Sequence, residues 1–263
     1  MERYVTVGGR RLRVAVRPGS APDRPPLLLC NGIGTDLTKL ERLVDALDPA
    51  IEVVRFDPPG VGGSPVPPLP YPFPLLARLV GRMLTTLGYR RFDVLGVSWG
   101  GGLAQQLALQ NPRRCRRLVL VATATGWTMV PAAPRVLLRM ATARRHHDVA
   151  YARAIAGEVY GGRLRTHPEL VVELAGRTSG RAYAYQLAAG LGWTSLPLLP
   201  LLRQPTLILA GSDDPIIPLT NARVMARLIP DARLHVYPDG HLGLLTMTDE
   251  LAGVIAGFRG APG

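Results

Sequence analysis

The sequence predicts an α/β protein: a mostly parallel sheet with helices on both faces and a helical block inserted ahead of the last strands. Three observations predict it. From residue 27 to about 125, short apolar runs alternate with stretches of helical spacing. The alternation resumes at 206 and continues to the C-terminus. Between the two stretches, 126–200 carries helical pattern and no convincing strand. The expected division is therefore a core of 1–125 and 201–263 with 126–200 as an inserted helical cap. An insertion at the C-terminal edge of such a sheet is placed to cover a site there.

The elements follow in order. Residues 4–7 and 10–16 flank Gly8-Gly9 and read as a hairpin. The run LLLC at 27–30 reads as a buried strand, and 36–47 as a helix through Leu37, Leu40, Leu43, Val44 and Leu47. A β-branched strand at 51–56 ends at Asp57-Pro58-Pro59-Gly60. Then come a helix at 75–87, a strand at 92–97, a helix at 101–109 stopped by Asn111-Pro112, and a strand at 118–122. After the insertion, strands at 206–210 and 234–237 enclose a helix at 219–228, and a last helix runs over 249–258.

Composition removes several function classes. With 263 residues, 47% of them hydrophobic and 19% charged, the chain can bury a sizeable core and is not globally disordered. Cys30 and Cys115 cannot build a disulfide framework or a cysteine metal site, and read as buried thiols. No apolar run approaches the roughly 18 residues of a membrane span. Residues 1–17 carry scattered arginines and no apolar stretch, so no secretory signal and no transmembrane segment is expected, and the chain reads as cytoplasmic. The net charge of +12 invites a nucleic-acid partner, but Lys39 is the only lysine, and the arginine pairs at 10–11, 90–91, 113–114, 116–117 and 144–145 are dispersed. They read as solvated surface, several near helix ends where cations are favourable, and no nucleic acid is expected. His146-His147 lacks the spacing of a metal pair, and no phosphate loop or dinucleotide fingerprint is present, so neither metal nor cofactor is expected.

The sharpest chemical feature is Gly96-Val97-Ser98-Trp99-Gly100, at the passage from an expected strand to an expected helix. This is the setting of a nucleophile elbow, in which a tight turn lifts a serine hydroxyl above the sheet. The positions two before and two after the serine approach each other and must be glycine. With 6 serines and 29 glycines, chance gives such a pattern only ~0.07 times in this chain. A serine needs a base. Of the five histidines, His146 and His147 sit in an arginine-rich stretch, His167 precedes Pro168, and His235 lies within a strand. His241 follows Asp239-Gly240 just past the last strand, on the edge that carries Ser98, and is the candidate base. The acid that orients it should come from Gly211-Ser212-Asp213-Asp214-Pro215. Asp214 is favoured, with Asp213 the alternative and Asp239 a turn residue. Oxyanion donors are expected from the main-chain N–H groups of Trp99 and of Ile33, in the loop Asn31-Gly32-Ile33-Gly34. In the inserted block, apolar side chains suit an aliphatic acyl chain. Trp127 and Trp193, near its two ends, and Asn31 are the candidate substrate contacts.

With these residues in view, the chain resembles the α/β-hydrolase superfamily over nearly its whole length. The segments CNGIG, FDPPGVGGS, GVSWGGGLAQQ, AGLGWTS, AGSDDPIIP and DGH resemble the intracellular depolymerases of medium-chain-length poly(3-hydroxyalkanoates), from about 28 to 258. The resemblance implies a serine ester hydrolase that releases 3-hydroxyalkanoate units from storage polyester. Ser98 would be its nucleophile, His241 its base and Asp214, now favoured more strongly, its acid. It implies a polyester or small ester as substrate and the storage-granule surface as partner. The chain departs from the family's pattern at Cys30, where an aromatic residue precedes the asparagine, and Asn31 stands where many relatives carry histidine. Ser98 separates it from polyester synthases of similar fold, which carry cysteine at the elbow. Two other readings remain: a small-molecule hydrolase acting on medium-chain esters or carbon–carbon bonds, and a granule-binding protein with an idle core. The intact Ser98, Asp214 and His241 speak against the second.

Overall fold

Gly8 and Gly9 turn the first hairpin, β1 (Glu2–Val7) with β2 (Arg10–Arg17), at φ of 54° and 75°. A two-residue hairpin turn of this kind needs positive φ at both positions. In the computed structural model, which describes residues 1–21, 24–141, 144, 148–174 and 178–261, six further strands follow. They are β3 (Leu27–Cys30), β4 (Val53–Phe56), β5 (Phe92–Val97), β6 (Cys115–Val121), β7 (Thr206–Gly211) and β8 (Ala232–Tyr237). The single sheet has the order β1-β2-β4-β3-β5-β6-β7-β8. The pairs β1–β2 and β2–β4 are antiparallel and all others parallel.

Helices pack on both faces, and the strand residues sort by a period of two. Leu28, Val94, Leu118, Leu120 and Ile208 face α2 (Phe73–Thr86), α3 (Trp99–Gln110) and α7 (Leu219–Leu228). Leu27, Leu29, Leu95, Val119 and Leu209 face α1 (Glu41–Ala46) and α9 (Thr248–Gly260), with the short α8 (Gly243–Thr246) beside them. Between β6 and β7 lie α4 (Pro134–Met140), α5 (Val149–Tyr160) and α6 (Gly180–Leu191), with 3-10 turns at Gly162–Arg165, Pro168–Leu174 and Leu196–Leu201. Val136, Ile155, Val159, Leu164 and Val171 form a separate apolar cluster there, joined by Ile216. No helix among the described residues is long and apolar enough to cross a membrane.

Three details differ from expectation. The stretch 36–47 is not one helix. Asp36 Oδ1 accepts from the Thr38 N–H (2.9 Å) and hydroxyl (2.6 Å), which starts a 3-10 turn, Leu37–Leu40, and α1 begins only afterwards. The first helical residue after the elbow is Trp99 rather than Gly101. Arg116-Arg117 is not solvated surface, because β6 starts at Cys115 and contains both. Arg116 donates to fully buried Asp93 at 2.9 and 2.7 Å, Arg259 of α9 donates to it at 2.8 Å, and buried Arg117 lies over the Phe258 ring. A buried carboxylate is tolerated only with such partners, and these fasten α9 to the lower end of β5. His146 and His147 lie outside the described residues.

The parallel register positions the site. Cys30 stands opposite Gly96, Val97 opposite Val121, and Gly211 opposite Tyr237. The segments that leave β3, β5, β6, β7 and β8 therefore emerge at one edge.

Candidate active site

At that edge the chain turns from β5 into α3 through Ser98, at φ 53° and ψ −119°. Positive φ is costly for a residue with a side chain and needs surrounding support. Three hydrogen bonds supply it: Ser98 N–H donates to Val121 O (2.9 Å), and Ser98 O accepts from Gly101 N–H (2.9 Å) and the Thr123 hydroxyl (2.7 Å). The flanking glycines are required by contact. A Cβ on Gly96 would lie 2.6 Å from Gly101 Cα, and one on Gly100 would strike the carbonyl oxygens of Cys30 and Asn31. The N-terminus of α3, with its free main-chain donors and positive dipole end, opens directly beside the serine.

His241 is buried, and its Nδ1 lies 2.8 Å from Asp214 Oδ2. Asp214 is fixed in turn, since Oδ1 accepts from the N–H groups of Ile216 and Ile217 at 2.9 Å each. Asp213 faces elsewhere. Its carboxylate is paired with Arg165 at 2.8 and 2.9 Å and accepts from Gly162 N–H at 2.8 Å. The Arg165 guanidinium holds that carboxyl below the usual range. Asp239 accepts from the N–H groups of Arg163 and Gly240, both at 2.7 Å, and from the Thr246 hydroxyl at 2.6 Å. The structure thus brings Asp214, and neither Asp213 nor Asp239, to His241. His167 is exposed beside Glu169, and half-buried His235 sits in β8.

The inserted block grips these loops with its main chain. His241 N–H donates to Tyr160 O at 2.8 Å, and the Tyr160 ring is stacked on the imidazole at 6.4 Å. Gly161 has φ 65°, and a Cβ there would strike Asp213 O. On the opposite side, the peptide groups of Gly34 are held from the same block. Gly34 N–H donates to Gln186 Oε1 (2.9 Å), and Gly34 O accepts from the Thr178 hydroxyl (2.8 Å). Gln186 is fully buried, and its own carbonyl accepts from Trp99 Nε1 at 2.7 Å. One residue therefore touches both segments expected to supply oxyanion donors, Gly32–Gly34 and Trp99. Nothing in a single sequence distinguishes Gln186, Thr178 or Tyr160. The matched segments GLAQQ and GWTS have a physical link: the Ser195 hydroxyl meets Gln105 Oε1 at 2.6 Å, and Trp193 Nε1 donates to Gln106 Oε1 at 2.7 Å. The DPPGVGGS segment is locked by Asp57, which accepts from the N–H groups of Leu37 (2.7 Å) and Gly63 (2.8 Å), and burial raises its pKa.

Two cavities meet at Ser98 and Ile33. The narrower, about 90 Å³, is lined by His241, Lys39, Leu43, Tyr160, Ile216 and Leu244, among others. The wider, about 330 Å³, is walled by Phe73, Trp99, Trp127, Leu137, Leu191 and Trp193. Trp127 is 65% exposed at its mouth, whereas Trp193 is nearly buried, edge-on to Phe73 at 5.1 Å. Asn31, expected among the substrate contacts, needs correction. It is buried, lines neither cavity, and donates through Nδ2 to Asp36 O, so it shapes the loop that carries Gly32 and Ile33.

Comparison with known proteins agrees with this architecture. The alpha/beta hydrolase fold family matches residues 25–246. The poly(3-hydroxyalkanoate) depolymerase of Ectopseudomonas oleovorans is 50% identical over 259 residues, covering 97% of this chain and 91% of that protein. The solved structure of a hydrolase from Pseudomonas aeruginosa PA01 superposes with a TM-score of 0.83 at 30% identity, over 99% of this chain and 98% of that one. The enol-lactonase of Burkholderia xenovorans LB400 shares the fold with a TM-score of 0.83 at 24% identity, over 97% and 99% of the two chains.

Proposed function

The chain belongs to the alpha/beta hydrolase fold family, and from that footing we propose that it is a serine hydrolase cleaving the ester bonds of poly(3-hydroxyalkanoate) to 3-hydroxyalkanoate units. The observation that carries the reading is that Ser98, on its constrained turn, and His241, hydrogen-bonded to Asp214, open on one cavity. The choice of polyester is supported by 50% identity along almost the whole length of a relative named for it.

In this reading the His241 Nε2 lone pair takes the Ser98 proton as Oγ adds to the ester carbonyl carbon. The N–H groups of Ile33 and Trp99 receive the oxyanion. The C–O bond breaks as His241 returns the proton to the leaving alkoxide. Water, deprotonated by the same imidazole, then adds to the acyl-enzyme, and the acid departs as Ser98 recovers its proton. Asp214 keeps the Nδ1 proton in place and stabilises the imidazolium. Residues 126–200 act as a cap, and Trp127 and Trp193 border the acyl path. Exposed Trp127, Leu137 and Leu191 (65%, 45% and 71%) at the mouth of the wider cavity are suited to an amorphous polyester surface, which supports work at a cytoplasmic storage granule.

The test is acid release from a suspension of amorphous medium-chain polyhydroxyalkanoate, wild type against Ser98→Ala, with a soluble medium-chain ester in parallel. Release that vanishes in the variant is expected. Serine-dependent cleavage of the soluble ester alone would move the substrate to small molecules, and release by Ser98→Ala at the wild-type rate would end the mechanism.

A further inference from the structure

We propose that the narrower cavity is the site of the leaving segment, and that Lys39 makes it select segments ending in a free carboxylate. The inference rests on the ester-hydrolase reading above and adds a direction and an end preference to it.

The direction follows from proton transfer. In a 3-hydroxyalkanoate polyester, each carbonyl is esterified by the hydroxyl of the next unit. When Ser98 Oγ forms its bond to that carbonyl carbon and the ester C–O bond breaks, the portion toward the hydroxyl end stays on the serine as acyl. The portion toward the carboxyl end departs as an alcohol, and the proton it needs comes from the imidazolium. The departing oxygen must therefore pass within hydrogen-bond reach of His241. Of the two cavities that meet at Ser98, His241 lines only the narrower. The acyl portion is left with the wider cavity, whose lining carries no charged side chain among the described residues.

The end preference follows from charge. The narrower cavity has aliphatic walls, Leu40, Leu43, Ile216, Leu242 and Leu244 among them, and among the described residues its charged lining besides the imidazole is Lys39 and Arg42, both cationic. Among the described residues no carboxylate lines it. Lys39 is half buried, on the 3-10 turn after β3, and its ammonium makes no hydrogen bond or ion pair among the described residues. In a chain whose other permanently cationic side chains are all arginine, this lysine stands in the wall of the reacting cavity. A carboxylate entering an apolar slot needs such a partner, and an ammonium on a flexible stem can follow chain ends of different length. The carboxyl end of the polyester lies on the departing side, so the chemistry of the ligand and the sign of the cavity agree.

The experiment compares the dimeric ester of 3-hydroxyoctanoate as free acid and as methyl ester, reading kcat/KM for each with wild type, Lys39→Met and Lys39→Arg. The ratio of the two substrates is an internal control, because loss of folded enzyme lowers both alike. Wild type is expected to favour the free acid by about tenfold. Lys39→Met should bring the ratio close to one, Lys39→Arg should retain most of it, and added salt should weaken it. A wild-type ratio near one overturns the carboxylate site, and a ratio unmoved in Lys39→Met overturns Lys39 as the carboxylate's partner; either result leaves the esterase reading intact. Wild-type enzyme that cleaves neither dimer overturns both.

Discussion

Asp214→Asn tests the candidate base and acid together, because the surrounding main chain dictates how the new amide must lie. Oδ1 of Asp214 accepts from the N–H groups of Ile216 and Ile217, 2.9 Å from each. An asparagine must keep its oxygen there, since an NH2 in that place would face two donors. Its NH2 is thereby put where Oδ2 now sits, 2.8 Å from His241 Nδ1. That group donates, so Nδ1 must accept and the ring proton moves to Nε2. The imidazole then offers Ser98 a donor in place of a lone pair. Where the same exchange leaves a triad's geometry intact, kcat falls about 10⁴-fold, equivalent to about 5.4 kcal/mol of lost transition-state stabilisation. The shape of the side chain is unchanged, so the melting temperature should move by only a few degrees. The assay is steady-state hydrolysis of a soluble medium-chain ester by wild type, Asp214→Asn and Asp213→Asn, each checked by thermal melting. Asp213→Asn should stay within about threefold of wild type, because its carboxylate faces Arg165. A folded Asp214→Asn that keeps more than about a tenth of the wild-type kcat, or an Asp213→Asn that loses as much, refutes the tautomer reasoning.

Three other substitutions probe the supports. Gly100→Ala drives a methyl group onto the main-chain oxygens of Cys30 and Asn31, which cannot swing away; a loss of about 1–3 kcal/mol is expected in urea unfolding, together with a fall in kcat. Gln186→Leu removes the acceptor of Gly34 N–H, so kcat should fall by roughly 10- to 100-fold at nearly constant KM; an unchanged kcat would reduce Gln186 to a packing residue. Arg165→Ala tests an ion pair. The Asp213 carboxyl is held below its unfolded value by Arg165, so the pair's stabilisation is present above about pH 3.9 and fades as pH falls through the lower folded value. Both side chains are half exposed, which limits the effect to about 1 kcal/mol at pH 7. Urea titrations of both proteins should differ at pH 7 and draw together as the pH is lowered through the carboxylate range.

The parts of the fold that could be read from sequence are those in which one residue type answers one local demand. Buried parallel strands need continuous apolar runs, and LLLC at β3 and FDVLGV at β5 match their strands to the residue. The elbow was legible because Gly96 and Gly100 are forced by contact. Asp213 and Asp214 were not separable by pattern, because the difference is made by tertiary partners: Arg165 for one, two N–H groups and His241 for the other. The helix at 36–47 was misread because its apolar spacing persists across the break, while Asp36 captures the Thr38 N–H locally and Asp57, 20 positions further on, captures that of Leu37. Arg116 looked exposed as half of a basic pair, yet its partner Asp93 sits 23 positions away in the chain. Gln186 is the clearest omission: its role depends on Gly34, 152 residues earlier, and no periodicity reports on that.

These long-range contacts change what the inserted block is expected to do. A lid that only shaded the site could be removed to leave an open and competent enzyme. Here the block supplies the acceptor for His241 N–H through Tyr160 O, partners to Asp213 and Asp239 from 162–165, and both hydrogen-bond partners of Gly34 from Thr178 and Gln186. Its ends are adjacent, since Trp127 N–H donates to Trp193 O at 3.0 Å and Gly126 bridges Thr194. A tight turn can therefore replace 128–192 without stretching β6 or β7. In such a protein the sheet should still fold, as its strand pairing and both of its apolar faces lie outside the deleted stretch. Hydrolysis of a small soluble ester, which needs no lid, should nonetheless fall by at least about 10²-fold, the scale of losing one oxyanion donor. If the shortened protein is folded by circular dichroism and cleaves the small ester as fast as the full chain, the block is a detachable cover and the grip on Gly34 and His241 is without catalytic consequence.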